Sequence, residues 1–141
     1  METAIRSEIK ENAVSKSALW AGWIMSGVII LFLIFDGTIH LIKNTPVVDA
    51  FNQLGIPIEL SVPIAIIELF CLILYVIPRT SIFGAILLTG YLGGAIIIQL
   101  RIGAPMLSTA LFPVYMGILL WGGIYLRDRR LRSLIPFRRD A

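Results

Sequence analysis

The sequence predicts an all-α fold, an integral membrane four-helix bundle. The 141 residues are 57% hydrophobic and only 15% charged, with a mean hydropathy of +0.88. That is far more apolar surface than a soluble domain of this length can bury. The apolar residues also fall into four runs, each about 20 residues long, and a helix of that length crosses a hydrocarbon core of about 30 Å.

The predicted chain has three parts. Residues 1–16 are polar and mixed in charge, which indicates a cytoplasmic leader. Residues 17–126 form the transmembrane domain, and residues 127–141 form a basic cytoplasmic tail. The four spans are predicted at about 17–42, 58–77, 82–100 and 106–126.

The first span carries Trp20 and Trp23 near its start, where indole rings favour the membrane interface. Near its end lie Asp36 and His40, whose spacing of four residues places them one turn apart on one helix face. Two interpretations remain open. The pair either reaches the headgroup water from the interface, or it belongs to a ligand or proton site continuous with Glu68.

The segment between the first two spans predicts a short amphipathic helix. Val47, Val48, Phe51 and Leu54 recur on one face, and polar residues lie between them. We expect this helix to lie in the membrane interface, where it can cover a pocket.

The second span contains Glu59 at its start and Glu68 near its middle. An ionised carboxylate at the centre of a bilayer costs about 2.5 to 3.5 kcal/mol. Glu68 is therefore expected either to hold a proton or to face polar partners on neighbouring helices. A very short turn, 78–81, makes the second and third spans antiparallel neighbours.

The third span contains Gly90 and Gly94, a pair of small residues at the spacing that permits close helix packing. Gln99 and Arg101 end this span. In the fourth span we expect Pro113 to produce a kink.

The distribution of basic residues predicts the orientation. Of the 12 Lys and Arg residues, only Lys43 and Arg101 fall on the side opposite the termini. The positive-inside rule then places both termini in the cytoplasm of a bacterial inner membrane. The basic tail follows directly after a span, which favours anionic lipid as its partner and not nucleic acid.

In this orientation, polar residues from different helices fall in the outer half of the bundle, where they can converge on one outward-facing cavity. The alternative is that each lies separately at an interface. The candidate ligand-binding residues are Glu68, Asp36, His40, Glu59, Gln99 and Arg101.

The sequence does not indicate one particular metal site, cofactor or catalytic reaction. Carboxylates and an imidazole suit zinc or iron, but with one histidine and no usable cysteine we assign no metal ligands, and the cofactor stays unknown. No nucleotide-binding glycine loop, serine elbow or zinc-protease motif occurs. Catalytic residues and enzymatic activity are therefore left open.

Several stretches resemble the DoxX-like family of small membrane proteins, over roughly residues 27–136. They are Ile67-Glu68-Leu69, Tyr75 to Thr80, Gly84 to Ala95, and Trp121 to Asp128 with Leu131-Arg132. The resemblance implies four spans, cytoplasmic ends and an association with quinone-linked oxidation of sulfur compounds. It also implies a histidine where this chain has Gln99, so one possible ligand is missing here.

Three functional hypotheses follow. In the first, the protein is a redox-associated subunit that binds a quinone or a similar small hydrophobic ligand in the outward-facing cavity. In the alternative, it is a non-catalytic scaffold or partner subunit, and Gly90 and Gly94 pack against a membrane protein partner or a second copy of the chain. A small proton-coupled transporter is less favoured, because no inverted repeat is evident.

Overall fold

The computed structural model describes residues 1–11 and 15–135. These residues form helices and turns without any strand, which confirms the predicted all-α class. The α-helices of this described part are α1 (Glu2–Glu11), α2 (Lys16–Ile42), α3 (Thr45–Leu54), α4 (Ser61–Val76), α5 (Ser81–Arg101), α6 (Phe112–Arg127) and α7 (Arg129–Leu134). The end of the predicted basic tail, with Arg138 and Arg139, lies outside the described residues.

Four helical segments are long and apolar enough to cross a membrane: Lys16–Ile42, Ile58–Val76, Ser81–Arg101 and Met106–Arg127. In the most apolar stretch of each segment, no more than 33% of the residues are buried inside the protein. The remaining apolar surface is too extensive for water and requires lipid around it. The chain is accordingly a multi-pass membrane protein.

The four long segments form a closed ring. Helix α2 packs against α4 and α6, and α5 packs against the same two helices from the opposite corner. The core between them is built from buried side chains such as Ile29, Leu33, Leu88 and Leu120. Because α2 and α5 face each other diagonally, the space between them can remain open where their side chains are small.

Small residues determine where the helices approach most closely. A Cβ atom on Gly123 of α6 would meet the Ser26 side chain and would lie 3.1 Å from the Gly22 carbonyl oxygen, both on α2. A Cβ atom on Gly84 of α5 would collide with the backbone of α4 at Tyr75. Close packing of this kind strengthens dispersion contacts between helices in lipid.

The chain between α2 and α4 confirms the predicted amphipathic helix. The Asn44 side chain caps α3 by accepting a hydrogen bond from the Val47 amide, and Val47 and Phe51 are buried. Helix α3 ends at Gly55, whose φ of 65° suits glycine at a left-handed C-terminal position. A 3₁₀ turn, Ile58–Leu60, then leads into α4.

Pro113 lies at an interruption of the fourth segment. A π-helical turn, Met106–Ala110, precedes α6, and Pro113 occupies the first turn of α6 itself. Proline is tolerated in a first turn because its missing N–H has no intrahelical partner there. At the position where the sequence predicts a kink, the structure therefore has a change from a π-helical turn to an α-helix, just before the proline.

Candidate functional site

One large cavity, about 550 Å³, lies between α2, α3, α5 and the start of the fourth segment. It is in the half of the bundle remote from the α4–α5 turn. Most of its lining is apolar, and its polar lining residues are Asp36, His40, Tyr91, Gln99, Ser108 and Thr109. We call it the Asp36 cavity. Its volume falls within the range of about 300 to 1,000 Å³ that is typical of small-molecule sites.

Three of the sequence-predicted residues come together beside this cavity. Asp36 and His40 on α2 and Glu68 on α4 each place one oxygen or ring nitrogen within 4.8 Å of the others. We call these residues the acid–imidazole cluster. Asp36 and His40 line the cavity, whereas Glu68 is 0% exposed and does not line it.

His40 is held in one orientation by its own helix and by its neighbours. Its Nδ1 lies 2.7 Å from the backbone carbonyl oxygen of Asp36 and 3.5 Å from the Asp36 carboxylate. A carbonyl oxygen can only accept, so Nδ1 donates and the lone pair of a neutral ring is on Nε2. Phe51 packs against the ring at a centroid distance of 5.6 Å, and Ser61 donates to the His40 carbonyl.

Glu68 has only part of its hydrogen-bonding capacity filled. The Tyr91 hydroxyl of α5 donates to Glu68 Oε2 at 3.0 Å. Glu68 Oε1 is buried and has no hydrogen-bond partner among the described residues. A buried acceptor without a partner costs about 1 to 3 kcal/mol, and more when it is charged.

Sequence reasoning did not identify Tyr91 as part of the site. A signal was available, because tyrosine in membrane proteins is enriched at the interfaces, whereas Tyr91 lies in the middle of α5. A hydroxyl at that depth requires a partner. Glu68 is the carboxyl group predicted at a similar depth in the neighbouring second span, so it was the partner to expect.

The other predicted residues are placed differently. Gln99 lines the Asp36 cavity, and so do Gly90 and Gly94, at which an added Cβ atom would meet nothing within 4 Å. Arg101 is exposed and donates to the Leu54 carbonyl, which ties the end of α5 to the end of α3. Glu59 is exposed in the 3₁₀ turn and does not line the cavity.

The opposite end of the bundle is basic. A smaller cavity, about 280 Å³, is lined there by Arg79, Arg127, Arg129 and Arg130 together with Trp23 and neighbouring residues. The Arg127 guanidinium lies 4.5 Å from the centre of the Trp23 ring. This end therefore presents several cations beside an aromatic side chain at the edge of the apolar helices.

Comparison with known proteins gives one match. The profile of the DoxX-like family matches residues 24–123. No curated protein and no solved structure is significantly similar to the chain. Every residue that lines the Asp36 cavity lies within the matched range.

Proposed function

The chain belongs to the DoxX-like family of membrane proteins, and we propose that it binds a small lipophilic molecule with a polar head, of the quinol class, in the Asp36 cavity. The observation that carries this proposal is the combination of apolar walls with hydrogen-bond acceptors at one side. The quinone association implied by the family resemblance is consistent with it.

The walls suit an apolar ring system. Phe32 and Phe112 pack edge to face with their ring centres 5.4 Å apart, and both line the cavity beside Met116. Burial of an aromatic ring against such walls is favourable at about 25 cal/mol per Å² of apolar area. A ligand that reaches the protein through the bilayer would already be concentrated beside this site.

The polar side favours a hydroxyl donor. An ionised Asp36 only accepts hydrogen bonds, and the neutral His40 ring that the Asp36 carbonyl favours presents an acceptor at Nε2. A quinol hydroxyl donates to such groups, whereas a quinone carbonyl offers them no proton and can accept only from donors elsewhere in the lining, such as the Gln99 amide and the Ser108 and Thr109 hydroxyls. The protein is therefore proposed to bind the reduced ligand more tightly than the oxidised one.

A thermal-shift titration with decylubiquinol and decylubiquinone, in detergent with a metal chelator, tests this proposal. Ligand that binds only the folded state stabilises it by about 2.7 kcal/mol at a concentration of 100 Kd. We expect saturable stabilisation by the quinol and at least tenfold weaker binding of the quinone.

Variants separate binding at this site from general partitioning into the detergent. Asp36→Asn should reduce quinol affinity about tenfold or more, because an amide replaces the charged acceptor. Asp49→Asn is the matched control, since Asp49 is exposed on α3 and does not line the cavity. Equal affinities for all three proteins, or no saturation at all, would refute the proposal.

We also propose that both termini are cytoplasmic and that the Asp36 cavity faces outward across a bacterial inner membrane. The excess of arginine and lysine on the side of the termini supports this orientation. The basic end around Arg127, Arg129 and Arg130 then faces the anionic inner leaflet, where each cation near the surface contributes about 1 kcal/mol of attraction.

A partner or scaffold role is the second candidate. It is favoured by the exposed Gly90 and Gly94, which have open space beside them inside one chain. A helix from a membrane protein partner or from a second copy could use such a face for close packing.

A further inference from the structure

The acid–imidazole cluster has an unusual charge balance. Two carboxyl groups, Asp36 and Glu68, lie close together inside a bundle of apolar helices. Among the described residues, neither forms an ion pair with a lysine or an arginine, and Asp36 pairs with His40 instead. The two carboxyl groups also interact with each other through a side-chain hydrogen bond. Such a pair in a medium of low dielectric is relieved either by a proton that the two groups share or by a cation, and a divalent cation supplies the compensating charge in full.

Glu68 provides an independent indication of a missing partner. Its side chain is 0% exposed, and Oε1 has no hydrogen-bond partner in the part of the chain that the structure describes. Tyr91 meanwhile holds the other oxygen, Oε2, at 3.0 Å. This is the arrangement of a metal-binding carboxylate, in which one oxygen is oriented by a neighbouring donor and the other is free for the ion.

His40 shows the same arrangement. One ring nitrogen donates to a backbone carbonyl at 2.7 Å, which fixes the ring and leaves a neutral imidazole with a free lone pair. Ligating histidines commonly have their second nitrogen engaged in this way. The imidazole, two carboxylates and the absence of a thiolate suit a first-row divalent ion of borderline hardness.

From these observations we propose that Asp36, His40 and Glu68 form a binding site for a divalent transition-metal ion, such as Zn²⁺, Fe²⁺ or Mn²⁺. Ligand atoms around such an ion, with bonds of about 2.1 Å, lie roughly 3 to 4 Å apart. One oxygen of each carboxyl group and one ring nitrogen of His40 already lie within 4.8 Å of one another. Small side-chain movements bring them around an ion, and ligation through Nε2 also requires a rotation of the His40 ring, because Nδ1 is the nitrogen 3.5 Å from the Asp36 carboxylate.

The proposed site leaves room for a further ligand on the ion. Three protein ligands are one fewer than the tetrahedral number, and sites that keep an open position bind water or substrate there. Asp36 and His40 both line the Asp36 cavity. The open position is therefore placed at the cavity wall. This inference does not depend on which lipophilic molecule the cavity holds, or on whether it holds one.

Titration of the purified, chelator-treated full-length protein with Co²⁺ tests the inference. Co²⁺ bound by oxygen and nitrogen ligands in a low-symmetry site gives visible absorption bands that are shifted from the weak band of the hydrated ion and more intense than it. We expect saturation at one ion per chain, with Zn²⁺ displacing the colour. No lipophilic ligand is added, and the quinol titration above is done in chelator, so each proposal can fail separately.

Substitutions identify the ligands. Glu68→Gln and His40→Ala should each weaken Co²⁺ binding at least tenfold, and Tyr91→Phe should weaken it about 10-fold to 100-fold by releasing the ligating carboxylate. Glu59→Gln is the control for Glu68→Gln, because Glu59 is exposed and outside the cluster. His40→Ala provides a second test if Glu68→Gln does not fold.

Two results would overturn the inference. One is a folded wild-type protein that shows no saturable Co²⁺ binding at concentrations up to about 1 mM, a dissociation constant typical of a weak site. The other is binding that Glu59→Gln weakens as much as His40→Ala and Tyr91→Phe do. Either result would mean that the acid–imidazole cluster is not a metal-binding site.

Discussion

Tyr75 is a fully buried side chain whose hydroxyl joins three helices. It lies on α4 and donates to the Leu120 carbonyl of α6 at 2.9 Å. Because its only proton is used there, Ser26 of α2 donates to the Tyr75 oxygen, at 3.1 Å, and Arg127 Nε in turn donates to Ser26 at 3.1 Å. This chain of hydrogen bonds fixes the end of the bundle that is opposite the Asp36 cavity.

Tyr75→Phe should therefore destabilise the protein. Removal of the hydroxyl leaves the Ser26 proton without its acceptor inside the core, and we expect a loss of about 1 to 3 kcal/mol in the free energy of unfolding. Denaturation by sodium dodecyl sulfate in mixed micelles measures it. Tyr115→Phe serves as the control, since Tyr115 is 42% exposed, donates to Leu107 and should lose less than about 0.5 kcal/mol.

At the residue scale, then, burial decides the importance of each polar group. Ser26 and Glu68 are both 0% exposed and must find partners within the bundle. Glu59 and Arg101 are exposed and can be solvated by headgroups or water. Glutamate thus belongs to the site where it is buried, at Glu68, and has no contact with the site where it is exposed, at Glu59.

Among the helices, α5 is the element that shapes the cavity. One end of it packs tightly on α4 through Gly84, whereas Gly90 and Gly94, further along, have no neighbour at the Cβ position within the described chain. The missing side chains leave volume between α5 and α2, and Tyr91 projects from the same stretch to Glu68. The glycines therefore help to make the cavity, whatever else they contact.

Gly94→Leu distinguishes the two roles of this face. A leucine side chain would occupy part of the Asp36 cavity, so quinol affinity should fall at least tenfold while the elution volume in mild detergent stays unchanged. Ile97→Phe adds bulk on the exposed side of α5, 66% exposed, and should change neither. Dispersal of an oligomer by Gly94→Leu, with quinol affinity retained, would favour the scaffold role instead.

At the scale of the whole molecule, the two ends of the bundle differ in chemistry. One end holds the Asp36 cavity and its acidic groups, and the other holds the arginines around Trp23 and Arg127. An asymmetry of this kind orients a small membrane protein during insertion, because positive charge is retained on the cytoplasmic side.

Labelling with a membrane-impermeant maleimide checks the orientation. A cysteine introduced as Gln53→Cys, exposed on α3, should react in intact cells. Ser133→Cys, exposed on α7, should react only after permeabilisation. The native Cys71 is buried and gives a low background. The reverse pattern would contradict cytoplasmic termini and would turn the Asp36 cavity towards the cytoplasm.

The sequence alone determined the fold class and the number of spans, because hydrophobic length is read directly from the chain and the bilayer has a fixed thickness. It also singled out Glu68, since a carboxyl group in an apolar run needs a partner wherever the helices lie. The family match over residues 24–123 agrees with the resemblance seen in the sequence.

Only the tertiary structure decided which groups meet. Helix rotation and pairing are set by contacts between distant residues, such as Gly22 and Ser26 against Gly123, and local spacing does not encode them. Those contacts bring Tyr91 to Glu68 and place Asp36 and His40 beside it, while Glu59 and Arg101 remain outside the cluster. Depth in the membrane follows from position along one helix, but direction around the helix follows from the neighbours against which it packs.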